Sequence, residues 1–321
     1  MHWVDAMNVY GQAGTPFLFI LDFELHHAIV LPADKIVSTG LKYRFPSMPL
    51  SEKPAEPDAP DILLQKSPVS FREYKEGFEK AMQAIQAGDT YLLNLCYTTP
   101  VKGIQSLEEV YQRANAPYKL LFPQKFVVFS PEQFISIADG VIRTFPMKGT
   151  IDASVPYAAE LLLADLKEQE EHATVVDLLR NDLSIVANQV TVERYRYITE
   201  IRTSGKNLLQ CSSAISGRLA ADYHSHLGDI FQALLPAGSV TGAPKKRTVE
   251  WIKSIEPEPR GYYTGVFGWF DGLNVDSAVM IRMIEQRADG FYYRSGGGIT
   301  YQSEARQEYQ EMVDKVYIPI G

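Results

Sequence analysis

A single lysine, Lys148, stands in the stretch FPMKGTID, residues 145 to 152, between a short apolar strand pattern and a Gly-Thr turn. A lysine at a strand end facing a cleft becomes a nucleophile when burial or nearby cations depress its pKa toward neutrality. The commoner lysine is a solvated charge on an apolar stem. Two helical stretches present carboxylates three residues apart: Glu168 and Glu171 in KEQEEH, and Glu308 and Glu311 in QEYQEM. That spacing puts each pair on one helix face, where like charges repel unless a cation or water offsets them. Facing one cleft, the pairs suit Mg²⁺, which takes oxygen ligands, keeps several waters and bridges one or two carboxylates to an anionic substrate. Otherwise they are solvated faces, with Glu311 paired to Lys315 one turn on. Glycines and hydroxyls gather in PAGSVTGAPKK, with Ser239 and Thr241, and in SGGGIT, with Gly297 and Gly298. Consecutive glycines leave backbone N–H groups open to a carboxylate or phosphate. Neither segment has the GxxxxGKS/T or GxGxxG spacing of nucleotide sites. Arg282, in the apolar strand pattern SAVMIRMI, offers a bidentate partner for a carboxylate if it points inward.

The elements that must position these residues follow from periodicity. Residues 1 to about 45 carry strand-like runs, FLFILDF and AIVLP, that suggest a small antiparallel edge or cap. The stretch PSMPLSEKPAEPDAP, residues 46 to 60, reads as a linker or exposed loop, so that a β-rich segment and linker (1–60) precede a catalytic domain (61–321). Phe71, Tyr74, Phe78, Met82 and Ile85 recur at helical spacing, and the pattern ends at Gly88. TYLLNLCYTTP is a buried strand, residues 106 to 115 a short helix, and three strands then lead to Phe145, with Ser130-Pro131-Glu132 at a turn between the first two. Residues 156 to 187 form a long helix broken once. Two strands, two helices, three more strands and a last helix complete the chain. Strands and helices mixed without βαβ alternation favour an α+β layered domain.

The motifs PMKGT, EHATVVDLLRND, PAGSVTGAPKKR, PRGYYTGVFG, AVMIRM and GGGITYQSEARQEYQEMVDK, in this order, resemble those of the chorismate-utilising enzymes. The resemblance runs from about Phe71 to Lys315. It implies an α+β fold of two orthogonally packed antiparallel sheets flanked by helices, with the site in the cleft between them. Lysine at position 148 resembles the aminodeoxychorismate synthase branch, whereas the anthranilate, isochorismate and salicylate synthases lack it. The resemblance implies that the Lys148 amine attacks C2 of chorismate as the C4 hydroxyl leaves, and that ammonia then adds at C4. The product, 4-amino-4-deoxychorismate, leads to 4-aminobenzoate and folate. Glu132 matches the general acid/base, Glu171 and Glu311 the Mg²⁺ ligands, and Glu168 and Glu308 their outer or water-bridged shell. Arg282, Tyr263, Lys315 and the Gly297 and Gly298 amides match contacts to the substrate carboxylates, and Ser239, followed by Thr241, stands where a hydroxyl lies near the substrate. Gln210 occupies the place of a histidine close to the C4 oxygen and can donate a hydrogen bond but transfer no proton at neutral pH. Leu92 stands where glutamine is frequent. The rivals are anthranilate synthase component I and a catalytically silent chorismate-binding homologue.

A net charge of −8 argues against a nucleic-acid or anionic-membrane partner. The N-terminus has no basic start or apolar core of a signal peptide, and the apolar runs are too short to span a bilayer, which places the chain in the cytoplasm. Cys96 and Cys211 lie in no disulfide, metal or nucleophile-elbow pattern, so both read as buried small hydrophobes and ammonia must come from a separate glutamine amidotransferase subunit. The short N-terminal part implies no tryptophan feedback, and the end at Gly321 leaves no fused lyase.

Overall fold

The strand Phe17–Leu21, FLFIL, is buried along its length; Phe17, Phe19 and Leu21 enter one core and Leu18 and Ile20 another. A strand apolar on both faces must be covered on both, and the layers of the molecule follow from that. A computed structural model describes residues 1–48, 62–202 and 207–319. Among these residues the chain forms two antiparallel sheets, of nine and eight strands. The larger runs in the order Met147–Asp152, Asn207–Arg218, Val141–Thr144, Gln133–Ala138, Val275–Val279, Val266–Phe270, Phe17–Leu21, Ile29–Pro32, with Asn188–Arg202 also paired to Asn207–Arg218. The smaller contains Leu92–Lys102, Gly290–Ile299, Met283–Arg287, Phe126–Ser130 and Tyr118–Phe122 as its central run.

Between the sheets, Leu18, Ile20, Phe267 and Ala278 meet Leu120, Phe126, Val128 and Met283. Outside the larger sheet lie Met7 of the helix Trp3–Gln12, Leu179 and Leu183 of the helix Leu166–Val186, and Phe231 of the helix Leu227–Leu234. Outside the smaller sheet lie Tyr74 and Phe78 of the helix Phe71–Gln86 and Met312 of the helix Ala305–Asp314. This is the α+β architecture expected, with helices on both outer faces.

Local chemistry sets the helix ends. Ser70 Oγ accepts the Glu73 N–H at 3.2 Å and caps the helix Phe71–Gln86, a contact worth about 1 kcal/mol. Asp165 breaks the long helix as expected, separating Ala158–Ala164 from Leu166–Val186 and capping the second by accepting the Glu168 N–H at 3.0 Å.

Several expectations need correction. Trp3–Gln12 is a helix, because Trp3, Val4 and Met7 form an apolar stripe against the larger sheet. Four strands, not three, lie between residues 115 and 145, since Tyr118–Phe122 pairs with Phe126–Ser130. The strands of the first 45 residues form antiparallel sheet edges as expected: Phe17–Leu21 and Ile29–Pro32 end the larger sheet, and Lys42–Arg44 ends the smaller. The proline-rich stretch 46–60 lies mostly outside the described residues.

The feature that makes the site is a pair of neighbouring crossings from one sheet to the other. Phe126–Ser130 lies in the smaller sheet and Gln133–Ala138 in the larger, so residues 130–133 are a bend between sheets and not a hairpin turn. Val275–Val279 and Met283–Arg287 do the same in reverse, so SAVMIRMI is two strands, and Arg282 sits at the bend with φ 53°. Both strand pairs are antiparallel partners, and the bends are tied by Val279 N–H donating to Glu132 O at 3.1 Å and Phe129 N–H to Arg282 O at 3.0 Å. Among the described residues no helix is long and apolar enough to cross a membrane.

Candidate active site

Lys148 lies in the edge strand Met147–Asp152, where the sequence suggested a Gly-Thr turn. Met147 pairs with Ser212 and Thr150 with Gln210, and the register shifts between them. Lys148 and Gly149 therefore form a β-bulge, a device that re-aims a side chain. Gly149 has φ 81°, and a Cβ there would lie 2.8 Å from Glu168 Oε2 and 3.0 Å from Leu162 Cδ1. The left-handed conformation is what favours glycine here. The bulge brings Lys148 Nζ to 2.6 Å from Glu171 Oε2, with the side chains 31% and 14% exposed. Burial alone would depress the Lys148 pKa, but the charge and hydrogen bond of Glu171, with Glu311 and Glu168 behind it, hold it above the ordinary lysine value. The depressed lysine expected from a buried position is thus reversed by three carboxylates.

At the bend between sheets, Ser239 Oγ donates to Glu132 Oε1 at 2.5 Å. Burial raises the Glu132 pKa above the usual carboxylate range, against the opposing effects of the Ser239 hydrogen bond and the Arg282 and Lys315 charges. A carboxyl that keeps its proton to higher pH is suited to act as a general acid. Arg282 lies over the Tyr317 ring at 5.0 Å and donates to Lys315 O at 3.4 Å. Lys315 Nζ bonds Gly296 O at 2.9 Å and pairs with Glu311 at 2.5 Å.

Lys148, Glu171, Glu132 and Ser239 open on a cavity of about 440 Å³, whereas Arg282, Lys315 and Glu311 lie outside its lining. Lys148, Glu171, Glu132, Ser239 and Gly298 supply its polar wall, and Leu92, Phe134, Met147, Val175 and Leu179 its apolar wall. Gly297 stands beside the second carboxylate pair: a Cβ there would lie 3.5 Å from Glu308 Oε2, 3.6 Å from Glu311 Oε1 and 3.7 Å from Lys315 Nζ. Glu308 is buried and accepts from Ser303 Oγ at 2.7 Å.

Two expected residues are turned away from the cavity. Thr241 is fully buried and its hydroxyl donates to Ala237 O at 2.9 Å, within its own loop. Tyr263 is buried with its hydroxyl 4.0 Å from Cys96 Sγ, and burial pushes its pKa well above the ordinary tyrosine value. Gln210 sits opposite Thr150 in the sheet and does not line the cavity. Arg180 and Asp177 pair across one helical turn at 2.7 Å, as expected.

Sequence reasoning passed over other contributors. Arg260, fully buried, pairs with Glu256 at 2.6 Å and donates to Val240 O and Asn94 O, both at 2.7 Å. It thereby fixes the loop that carries Ser239 against the strand Leu92–Lys102. Lys245 pairs with the buried Asp182 at 2.8 Å at the other end of that loop. His172, adjacent in sequence to Glu171, is fully buried and shares a 2.7 Å hydrogen bond with Ser213 Oγ. Burial, then the Arg196 and Lys148 charges, depresses its pKa to about 4, so the ring is neutral. Its position in an acidic run, one residue past a candidate ligand, was the only signal.

Four carboxylates from two helices are an oxygen donor set suited to Mg²⁺. Among the described residues no three His, Cys, Asp or Glu side chains form a ready cage. Lysines sit on Glu171 and Glu311 instead. Such a layout fits an ion held by few protein oxygens and several waters.

The family model described as chorismate binding enzyme matches residues 31–320. The chain is 45% identical over 322 residues to an uncharacterized PabA-like protein of Haemophilus influenzae, covering 99% of this chain and 97% of that one. It is 34% identical over 262 residues to aminodeoxychorismate synthase component 1 of Klebsiella aerogenes, covering 77% of this chain and 57% of that one. It therefore spans just over half the length of the named synthase. Anthranilate synthase component I from Streptococcus pneumoniae superposes with a TM-score of 0.69 at 29% identity, over 81% of this chain and 60% of that chain. The chain belongs to the chorismate-binding enzyme family.

Proposed function

We propose that the chain acts as an aminodeoxychorismate synthase component I, converting chorismate and ammonia to 4-amino-4-deoxychorismate and water. The observation that carries this reading is Lys148, re-aimed by the Gly149 bulge into a cavity that also holds Glu132, whose pKa burial raises. Lys148, as the free amine, adds at C2 of the ring; both ring double bonds shift, to C1=C6 and C4=C5, and the C4 hydroxyl leaves as water with a proton from Glu132. Ammonia then adds at C4 and yields a proton back to the Glu132 carboxylate, both double bonds shift back, and the Lys148 amine is released. A covalent adduct divides one difficult substitution into two easier ones. Ser239 orients Glu132 toward the leaving oxygen, and Arg282 and Lys315 supply positive charge beside it.

Glu171 and Glu311, with Glu168 and Glu308 around them, would hold Mg²⁺. When bound, Mg²⁺ supplies positive charge for a substrate carboxylate. Without the ion, the charges of Glu171, Glu311 and Glu168 favour Lys148 as an ammonium. Ammonia comes from a separate glutamine amidotransferase subunit, because both cysteines are buried and burial pushes the Cys96 thiol up to about 12. The test is the intact mass of the protein after incubation with chorismate and Mg²⁺ without ammonium. An adduct of chorismate less one water, mapped to the peptide bearing Lys148, is expected. An unmodified lysine under conditions that support turnover with ammonium would refute the covalent route.

A further inference from the structure

Ser213 touches both sides of the Lys148–Glu171 pair through different atoms. Its backbone N–H donates to Pro146 O at 3.0 Å, two residues before Lys148. Its hydroxyl lies 2.7 Å from Nε2 of His172, the residue that follows Glu171. The same hydroxyl accepts the Arg196 N–H at 2.9 Å, where Arg196 has φ 47° and the strand Asn188–Arg202 is irregular. Ser213 and His172 are each fully buried, and His172 Nδ1 has no hydrogen-bond partner. A ring sealed from water and bonded through one nitrogen contributes through that bond, since its other polar atom is left unsatisfied at a cost. The helix carrying Glu171 and the bulge carrying Lys148 belong to separate elements, joined directly by the Lys148–Glu171 pair and bridged by Ser213 through its N–H and its hydroxyl.

We infer that Ser213 and His172 are positioning residues: one buried serine anchors the strand that bears Lys148 and the helix that bears Glu171, and so fixes the geometry of the pair. Neither side chain lines the cavity, so neither touches the reacting atoms. The bond is specific to Nε2, and chemistry that replaces Nε2 should preserve the function while chemistry that replaces Nδ1 should not. Glutamine places its amide near the Nε2 position; asparagine places it near Nδ1.

The inference builds on the proposed lysine chemistry, and its test separates the two. Wild type, Ser213→Ala, His172→Asn and His172→Gln are compared as full chains with chorismate, Mg²⁺ and ammonium for kcat, KM and thermal midpoint. In parallel, reductive methylation of Lys148 without substrate is followed by peptide mass, which reads the pair whether or not the chain turns over chorismate. Ser213→Ala and His172→Asn are expected to lower kcat about tenfold or more with KM little changed, because misplacement of a reacting group by an ångström costs rate. They should also speed Lys148 methylation several-fold, while His172→Gln stays near wild type in both. Unchanged methylation rates in Ser213→Ala and His172→Asn would overturn the inference. So would a His172→Gln protein that loses kcat and thermal midpoint together with His172→Asn, which is the mark of a merely structural bond. A wild type with no turnover but with the expected methylation pattern would sink the proposed reaction and leave the anchor standing.

Discussion

On the two walls of the cavity, pKa values are raised for opposite reasons. At the edge strand, Lys148 keeps its proton because carboxylates attract the charged form, against burial. At the bend between sheets, burial raises the Glu132 pKa by disfavouring the charged form, against the opposing effects of Ser239, Arg282 and Lys315. The first state is set by neighbouring charge, so a cation or a substitution can reverse it. The second is set chiefly by solvent exclusion. An amine that must be released and an acid that must be retained are served by these two different controls.

Removing the lysine should break the comparison most severely. Lys148→Ala is expected to lower the rate of 4-amination by on the order of 10³-fold or more, read from product formation with ammonium; undiminished activity would rule out the nucleophile. Glu132→Gln keeps the shape and the Ser239 contact but removes the proton donor, and should reduce kcat about 10²-fold or more with chorismate binding retained in a titration. Gly149→Ala strikes the bulge itself: a side chain at φ 81° against Glu168 Oε2 at 2.8 Å should cost about 1–3 kcal/mol in a denaturant unfolding series, together with activity. The smallest effect sharpens the second wall. A general acid works while protonated, so kcat/KM should fall as pH rises through the elevated Glu132 pKa. Ser239→Ala removes a bond that favours the carboxylate, and should move that limb upward. A downward move would contradict the role given to Ser239.

Much of the frame could be read from residue patterns. Helical spacing located Phe71–Gln86, a single break in the long helix was expected though not its place at Asp165, and Glu311 pairs with Lys315 one turn on as its spacing allowed. What escaped was the bend. Apolar alternation reads alike in two sheets when both bury their strands, so FVVFSPEQFISIA and VDSAVMIRMI carried no mark of a change of sheet, and the positive φ of Arg282 has no glycine to announce it. The Gly149 bulge looked like a turn because glycine serves both. Thr241 and Tyr263 resembled site residues by motif, yet a hydroxyl's direction depends on partners distant in sequence, here Ala237 O and Cys96. His172 was invisible for the same reason, since its partner Ser213 lies 41 residues away.

The central measurement is to incubate the purified chain with chorismate, Mg²⁺ and ammonium at mildly alkaline pH and to identify the product by chromatography and mass. 4-Amino-4-deoxychorismate is the expected product, and it would establish reaction and ring position together. Anthranilate, or chorismate bound and left unchanged, would contradict the role assigned to Lys148.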